Sequence, residues 1–156
     1  MAAAAMAVCL GAAPSFIRAG LEEEPFAVHL KPRFRVVKLS DSHLVLDKAL
    51  GPLALENGLR AQSRIQVSGN RVAVMSAPEA TMDDMLSRMA SIVSGGFDCF
   101  VCHGATADRL TRALESASIP GEAIYCEVDL ASACKRAGAV LQADGLIYVQ
   151  VAYRCV

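Results

Sequence analysis

The stretch Arg71–Cys102, RVAVMSAPEATMDDMLSRMASIVSGGFDCFVC, decides the fold. Arg71 to Met75 is a β-branched run. After the turn residues Ser76-Ala77-Pro78, the apolar side chains Met82, Met85, Leu86, Met89, Ile92 and Val93 recur at helical spacing. Thr81 stands where a hydroxyl caps the first turn, Asp83 and Asp84 suit the positive end of the helix, and Gly95-Gly96 stop it. Phe97 to Cys102 is then a nearly continuous apolar run, the pattern of a strand covered on both faces. Strand, amphipathic helix and strand in that order make a crossover between parallel strands.

Toward the carboxyl terminus the pattern repeats. Thr106 is placed to cap a helix with Leu110, Ala113, Leu114 and Ala117 on one side, stopped by Ile119-Pro120-Gly121. Ala123 to Cys126 reads as the next strand. Asp129 caps a helix whose apolar face holds Leu130, Ala133, Cys134, Ala137, Val140 and Leu141, and Leu146 to Tyr153 reads as a closing strand. The expected fold class is α/β: a three-layer, largely parallel sheet with flanking helices, flavodoxin-like or Rossmann-like, with an amino-terminal extension that contains a β-hairpin.

Toward the amino terminus the signals weaken. Arg64 to Val67 and Arg71 to Met75 flank Ser68-Gly69-Asn70, which predicts a tight hairpin. Leu44 to Ala61 reads as an interrupted helical region broken at Gly51-Pro52. Phe26 to Leu30 and Phe34 to Leu39 are extended apolar stretches separated by Lys31-Pro32-Arg33, which fits a hairpin or an irregular edge. The expected division is a segment over 1–62 and an α/β domain over 63–156, joined as one structural unit. Residues 1–20 are rich in Ala, with Arg18 the first basic residue. They read either as a strand at Ala5 to Leu10 with a short helix near Pro14 to Glu24, or as a targeting segment. The corresponding expectation is a cytoplasmic protein, or an organellar one if that segment is cleaved.

The 156 residues carry 15 Lys+Arg against 16 Asp+Glu, a formal net charge of -1, so nothing electrostatic marks a nucleic-acid or anionic-membrane partner. The absence of Trp and the 5% aromatic content also speak against stacking platforms for single strands. The 54% hydrophobic content and a mean hydropathy of +0.38 describe a core-forming, soluble chain. No apolar run reaches the roughly 18 residues of a membrane helix. Six cysteines lie scattered over predicted strands and helices, which favours reduced, buried thiols over a disulfide framework.

Cys99-Phe100-Val101-Cys102-His103 matches the C-x-x-C-H pattern of c-type haem attachment, followed by Gly104. It also invites a thiol redox reading. Against both, a strand sends residues three apart to opposite faces, and all six Met precede His103, so the usual downstream Met ligand is missing. A zinc site from His29, His43, His103, Cys99 and Cys102 requires a fold that the βα pattern does not predict.

The favoured site is the carboxyl edge of the sheet, where βα turns diverge and helix N-termini offer N–H groups to an anion. The candidate ligand-binding residues are His103, Gly104 and Thr106, joined by Ser76 and Asp129 from the neighbouring turns; Asp129 is equally a simple helix cap. Asp108 or Arg109 is placed to orient polar groups there. No Walker loop, complete G-x-G-x-x-G fingerprint, catalytic triad order or metalloprotease signature occurs. The expectation is therefore a binding or interaction module rather than an autonomous enzyme. It has no cofactor or metal, its partner is a small-molecule anion or another protein, and homo-oligomerisation is left open.

Met82 to Ala137 resembles the ligand-sensing amino-terminal domain of the propionate-catabolism activator family. The resemblance rests on Gly96-Phe97-Asp98, His103-Gly104-Ala105-Thr106-Ala107, Ile119-Pro120 and Val128-Asp129-Leu130 with Ala137. It implies a small-molecule pocket and carries no transcription-regulator function. Val128 to Leu141, VDLASACKRAGAVL, looks like the segment leading into the cofactor domain of D-2-hydroxyacid dehydrogenases. No nucleotide fingerprint follows it, so that resemblance implies a dehydrogenase-like chain without hydride transfer.

Overall fold

The computed structural model describes residues 34–39, 41–49 and 51–150. The elements expected before residue 34, including any targeting segment, and the end of the last strand lie outside the described residues. Among the described residues six strands form one sheet: β1 (Phe34–Leu39), β2 (Ser42–Asp47), β3 (Arg71–Met75), β4 (Cys99–His103), β5 (Ile124–Glu127) and β6 (Leu146–Gln150). Their spatial order is β1-β2-β6-β3-β4-β5. β1 pairs antiparallel with β2, Leu39 opposite Ser42, and the remaining pairings are parallel. The helices are α1 (Pro52–Gln62), α2 (Asp83–Val93), α3 (Ala107–Ser116) and α4 (Leu130–Val140), with a 3-10 turn at Gly121–Ala123.

Period-two alternation gives each strand two faces. Ala73, Met75, Phe100, Cys102, Leu146 and Tyr148 pack with Leu55 of α1, Leu86 and Met89 of α2, and Leu110 and Leu114 of α3. Val72, Val74, Val101, Ile147 and Val149 pack with Ala133 and Ala137 of α4. Chirality explains the division. From β2 through β5 the chain advances in one direction across the sheet, and right-handed connections keep α1, α2 and α3 on one face. The return from β5 to β6 runs backwards, so the same handedness puts α4 on the other face. The expected three-layer α/β fold is the observed one.

Two local expectations fail. Ser42–Asp47 is a strand, not the start of a helical region, because its backbone groups are taken by β1 and β6 on either side. Only the part after Gly51-Pro52 is helical. The hairpin around Ser68-Gly69-Asn70 does not form either; β3 lies between β6 and β4, and residues 63–70 are turns and bends. Those turn residues bind a distant segment instead. The Ser68 N–H and hydroxyl donate to the Asp144 carboxylate at 2.8 and 2.7 Å, and the Gly69 N–H donates to the Asp144 carbonyl. Asn70 donates to the Val140 carbonyl and accepts from the Gln142 N–H. The α/β unit also reaches back before residue 63, since 34–62 supply two strands and a helix of the same sheet structure. The hairpin of the amino-terminal portion is β1–β2.

Tyr148 and Asp47, both buried, share a hydrogen bond from the phenol to Asp47 Oδ2. Burial pushes the Asp47 carboxyl above its usual range, against the opposing effects of the Tyr148 and Lys48-backbone hydrogen bonds. Burial, then the Asp47 neighbour, raises the Tyr148 phenol as well. The pair fits because Gly58 lies over it on α1: a Cβ there would overlap Asp47 Oδ2 and stand 2.8 Å from the Tyr148 oxygen. In an unencumbered helix Gly→Ala gains about 1 kcal/mol. Here Gly58→Ala is expected to destabilise by ~1–3 kcal/mol through overpacking, read from urea midpoints. The raised Asp47 pKa has a definite sign. Between the unfolded carboxyl value, about 3.9, and the higher folded one, the native state holds a proton that the unfolded chain has lost, so stability falls as pH rises through that window. Urea midpoints followed upward from about pH 4 should show this fall, and Asp47→Asn should remove it.

Candidate functional site

At the carboxyl ends of β2, β6 and β3 the surface opens into a cleft of about 290 Å³. The connection from β2 to α1 contributes Ala49 and Gly51. The connection from β3 to α2 supplies Ala77, Pro78, Ala80, Thr81 and Met82, and the first turns of α2 add Met85 and Met89. Gln150, the last residue of β6, completes it. The place follows from strand order: β6 lies between β2 and β3, so the two βα connections part around its end, the kind of crevice in which open α/β sheets bind ligands.

The inner residues Ala49, Met89 and Gln150 are buried, whereas Pro78, Ala80 and Met82 are exposed at the mouth. Gln150 is 3% exposed; its Nε2 donates to the Ala49 carbonyl at 3.0 Å, and its Oε1 is a buried acceptor without a hydrogen-bond partner. Helix α1 begins with Gly51 and Pro52, has no side-chain cap, and carries no acidic residue in its first turn. By contrast α2 carries Asp83 and Asp84 there. Met82, not Thr81, occupies the cap position of α2 and makes no side-chain cap bond.

The β3–α2 wall is held from α3. Thr106, 1% exposed, donates its hydroxyl to the Ala77 carbonyl at 2.9 Å and accepts from the Ala77 N–H at 3.1 Å. It occupies the cap position of α3 but makes no side-chain cap bond, because its oxygen is used across the two connections. Arg109 donates to the Glu79 and Thr81 carbonyls and pairs with Asp83 at 2.6 Å. Ser76 is buried at the end of β3. Of the sequence-predicted residues, Thr106 and Ser76 thus lie beside the cleft wall without lining the cleft.

The other predicted residues form a separate edge. His103 ends β4, and Gly104 follows with φ +77, a left-handed conformation that favours glycine. Burial lowers the His103 pKa, opposed by the charge of Asp129, while its Nε2 is buried without a partner. The negative charge of Asp129 acts on His103 and disfavours a second anion at this edge. Asp129 caps α4 as expected, accepting from the Ser132 N–H at 2.7 Å, and its pKa is lowered by the Ser132 hydrogen bonds. Sequence reasoning flagged the Ser76-Ala77-Pro78 turn but missed Met85, Met89 and Gln150 as lining, since their pattern is that of core residues.

Cys99 packs toward the α4 face and Cys102 toward the opposite one, so the two thiols cannot meet one haem edge or each other. Among the described residues no three His, Cys, Asp or Glu side chains gather as a metal site, and no helix is long and apolar enough to cross a membrane.

No protein-family model matches the sequence. No curated protein matches it. Solved structures do. Escherichia coli FolC in complex with ADP superposes with a TM-score of 0.67 at 20% identity, covering 89% of this chain and 32% of that one. The MurF ligase of Thermotoga maritima in complex with ADP gives 0.64 at 15% identity over 94% of this chain and 32% of that one. A separately crystallised domain of a Haemophilus ducreyi protein, described as a putative UDP-N-acetylmuramate:L-alanyl-gamma-D-glutamyl-diaminopimelate ligase, gives 0.57 at 13% identity. There the match covers 76% of this chain and 86% of the domain. This chain thus spans about a third of the FolC and MurF chains that it matches. At these identities the likeness shows a shared fold.

Thiol chemistry gives a direct check on the strand geometry. Cys102 is fully buried, and burial pushes its thiol up to about 12, whereas Cys126 and Cys134 are exposed. Alkylation of the native protein followed by mass spectrometry should therefore label Cys126 and Cys134 early and Cys102 only after unfolding.

Proposed function

We propose that this chain is a small-molecule-binding α/β domain. It takes a carboxylate or phosphate group at the carboxyl edge of its sheet and acts with a partner domain or protein rather than as a complete catalyst. The observation that carries this reading is the cleft at the start of α1, where an uncapped helix N-terminus with no acid in its first turn borders a concave apolar wall. Unpaired N–H groups and the helix dipole at such a terminus favour an anion.

None of the described lining residues carries an ionisable side chain, so the cleft is suited to holding a ligand rather than moving its protons. The ADP present in the similar FolC and MurF structures makes a nucleotide phosphate one reasonable anion, and the extra length of those chains is consistent with a partner domain. The resemblance of Met82 to Ala137 to a ligand-sensing domain supports the same kind of reading.

The test is titration of the full chain with inorganic phosphate, acetate and ADP, followed by amide chemical shifts. Shifts are expected at Leu53 and Ala54 and along 77–82. Ala54 is exposed at the third position of α1, where an acidic residue favours the helix while repelling an anion. Ala54→Asp should weaken binding by about tenfold or more with thermal stability kept or raised. An absence of shifts with all three probes, or binding indifferent to Ala54→Asp, would remove the reading.

A further inference from the structure

Away from the cleft, the sheet brings two thiols together that lie 24 residues apart in sequence. Parallel pairing of β4 with β5 sets Cys102 directly opposite Cys126. Residues opposite one another on neighbouring strands point to the same face. Their Cα atoms stand about 4.8 Å apart, inside the roughly 4.4–6.8 Å span of disulfide-linked residues. Thr111 of α3 marks that face: its Oγ1 lies 3.0 Å from Cys126 Sγ, and its side chain also hydrogen-bonds the Cys102 thiol. The sequence motif points to a different pair, Cys99 and Cys102, which the strand sends to opposite faces.

The paired thiols differ in access. Cys126 is exposed on β5, an edge strand of the described sheet, whereas Cys102 is 0% exposed. A reagent in solvent therefore meets Cys126 first, and Cys102 is reached through it. Of the other described cysteines, Cys99 faces the α4 side of the sheet and Cys134 belongs to α4 itself, so the sheet separates both from Cys102.

We propose that Cys102 and Cys126 form a reversible thiol–disulfide exchange site whose oxidant is a small disulfide of the glutathione type. This modification site is independent of the anion site at α1. In the first step the Cys126 sulfur attacks one sulfur of the small disulfide. A mixed disulfide forms on Cys126, and one small thiol leaves carrying the proton lost by Cys126. In the second step the Cys102 sulfur attacks Cys126 Sγ, the Cys102–Cys126 bond forms, and the second small thiol leaves with the proton lost by Cys102. Two protein thiols are oxidised and one small disulfide is reduced to two thiols. The second step is within one folded molecule, so it outcompetes the return of the small thiol from solution.

The test incubates the folded full chain with excess glutathione disulfide until its composition is constant. Remaining thiols are then blocked in acid, and the digest is mapped by mass spectrometry without reduction. The Cys102–Cys126 linked peptide is expected to exceed the Cys126–glutathione peptide by about tenfold or more. Dithiothreitol should restore both thiols. Cys126→Ser, a change at an exposed side chain, should leave Cys102 reduced in the folded protein. Cys126 halted as its glutathione adduct in the unaltered chain, with Cys102 still free, would overturn the proposal. So would a Cys126 that stays reduced, or a Cys102 that is oxidised just as readily in Cys126→Ser.

Discussion

Strand β6 enters the sheet between β2 and β3, and most of what the described residues do follows from that insertion. The strand is last in the described chain but central in the sheet, so α1 must cross over it to connect β2 with β3, and α4 must return along the opposite face to deliver it. All five of its residues are buried. A parallel strand in that position has its backbone satisfied from both sides, by β2 and by β3. Without it, neither partner strand has a neighbour on its inner edge, and the carboxyl ends of β2 and β3 have nothing between them to form the base of a cleft.

The two edges of the sheet are treated differently. At the amino edge, polar groups are spent on one another: Asp144 holds Ser68 and Gly69, Asn70 holds Val140 and Gln142, and Asp98 exchanges hydrogen bonds with the Arg71 backbone. The Arg71 guanidinium reaches the carbonyls of Gln62 and Ile65, satisfying acceptors at and beyond the end of α1. At the carboxyl edge, Thr106 and Arg109 also make such ties, but they brace the β3–α2 connection from behind and leave its other side open. A wall held in this way loses little conformational freedom when a ligand arrives, which is the physical meaning of a largely pre-formed site.

The second half of the fold was legible because its signals are local. Each helix there shows its apolar stripe within eleven residues, and β3 and β4 are short runs bounded by turn residues. β2 was misread because SHLVLD is chemically indifferent between strand and helix; its state is imposed by β6, about a hundred residues later in the chain. The Ser68-Gly69-Asn70 signal was real turn chemistry, but its hydrogen bonds go to residues 140–144 rather than to a hairpin partner. Thr106 was recognised as a polar residue at the right edge, yet its partner Ala77 lies 29 residues away, and only the pairing of β3 with β4 brings them together. The cleft was the least legible feature. Met85 and Met89 carry the same periodic signal as core residues, and nothing near Gln150 in sequence distinguishes it from any other residue of a buried strand.

A buried carboxylate at Asp47 costs stability, and the helix above it gives up a side chain at Gly58 to make room, so its place beside the cleft needs a physical reason. Tyr148 and Gln150 are two residues apart on β6 and therefore project to one face, as do Asp47 and Ala49 at the end of β2. Two polar rungs thus cross from β6 to β2 in succession: the Tyr148 phenol to the Asp47 carboxylate, and the Gln150 amide to the Ala49 carbonyl. Apolar residues in those positions would pack without selecting a register, because a slide along a parallel pair exchanges one aliphatic contact for another. Directional hydrogen bonds lose their partners on the same slide. The rungs accordingly fix how far the end of β6 projects beyond β2, and with it the depth of Gln150 in the cleft, at a place where a residue's shift would turn that side chain to the opposite face of the sheet.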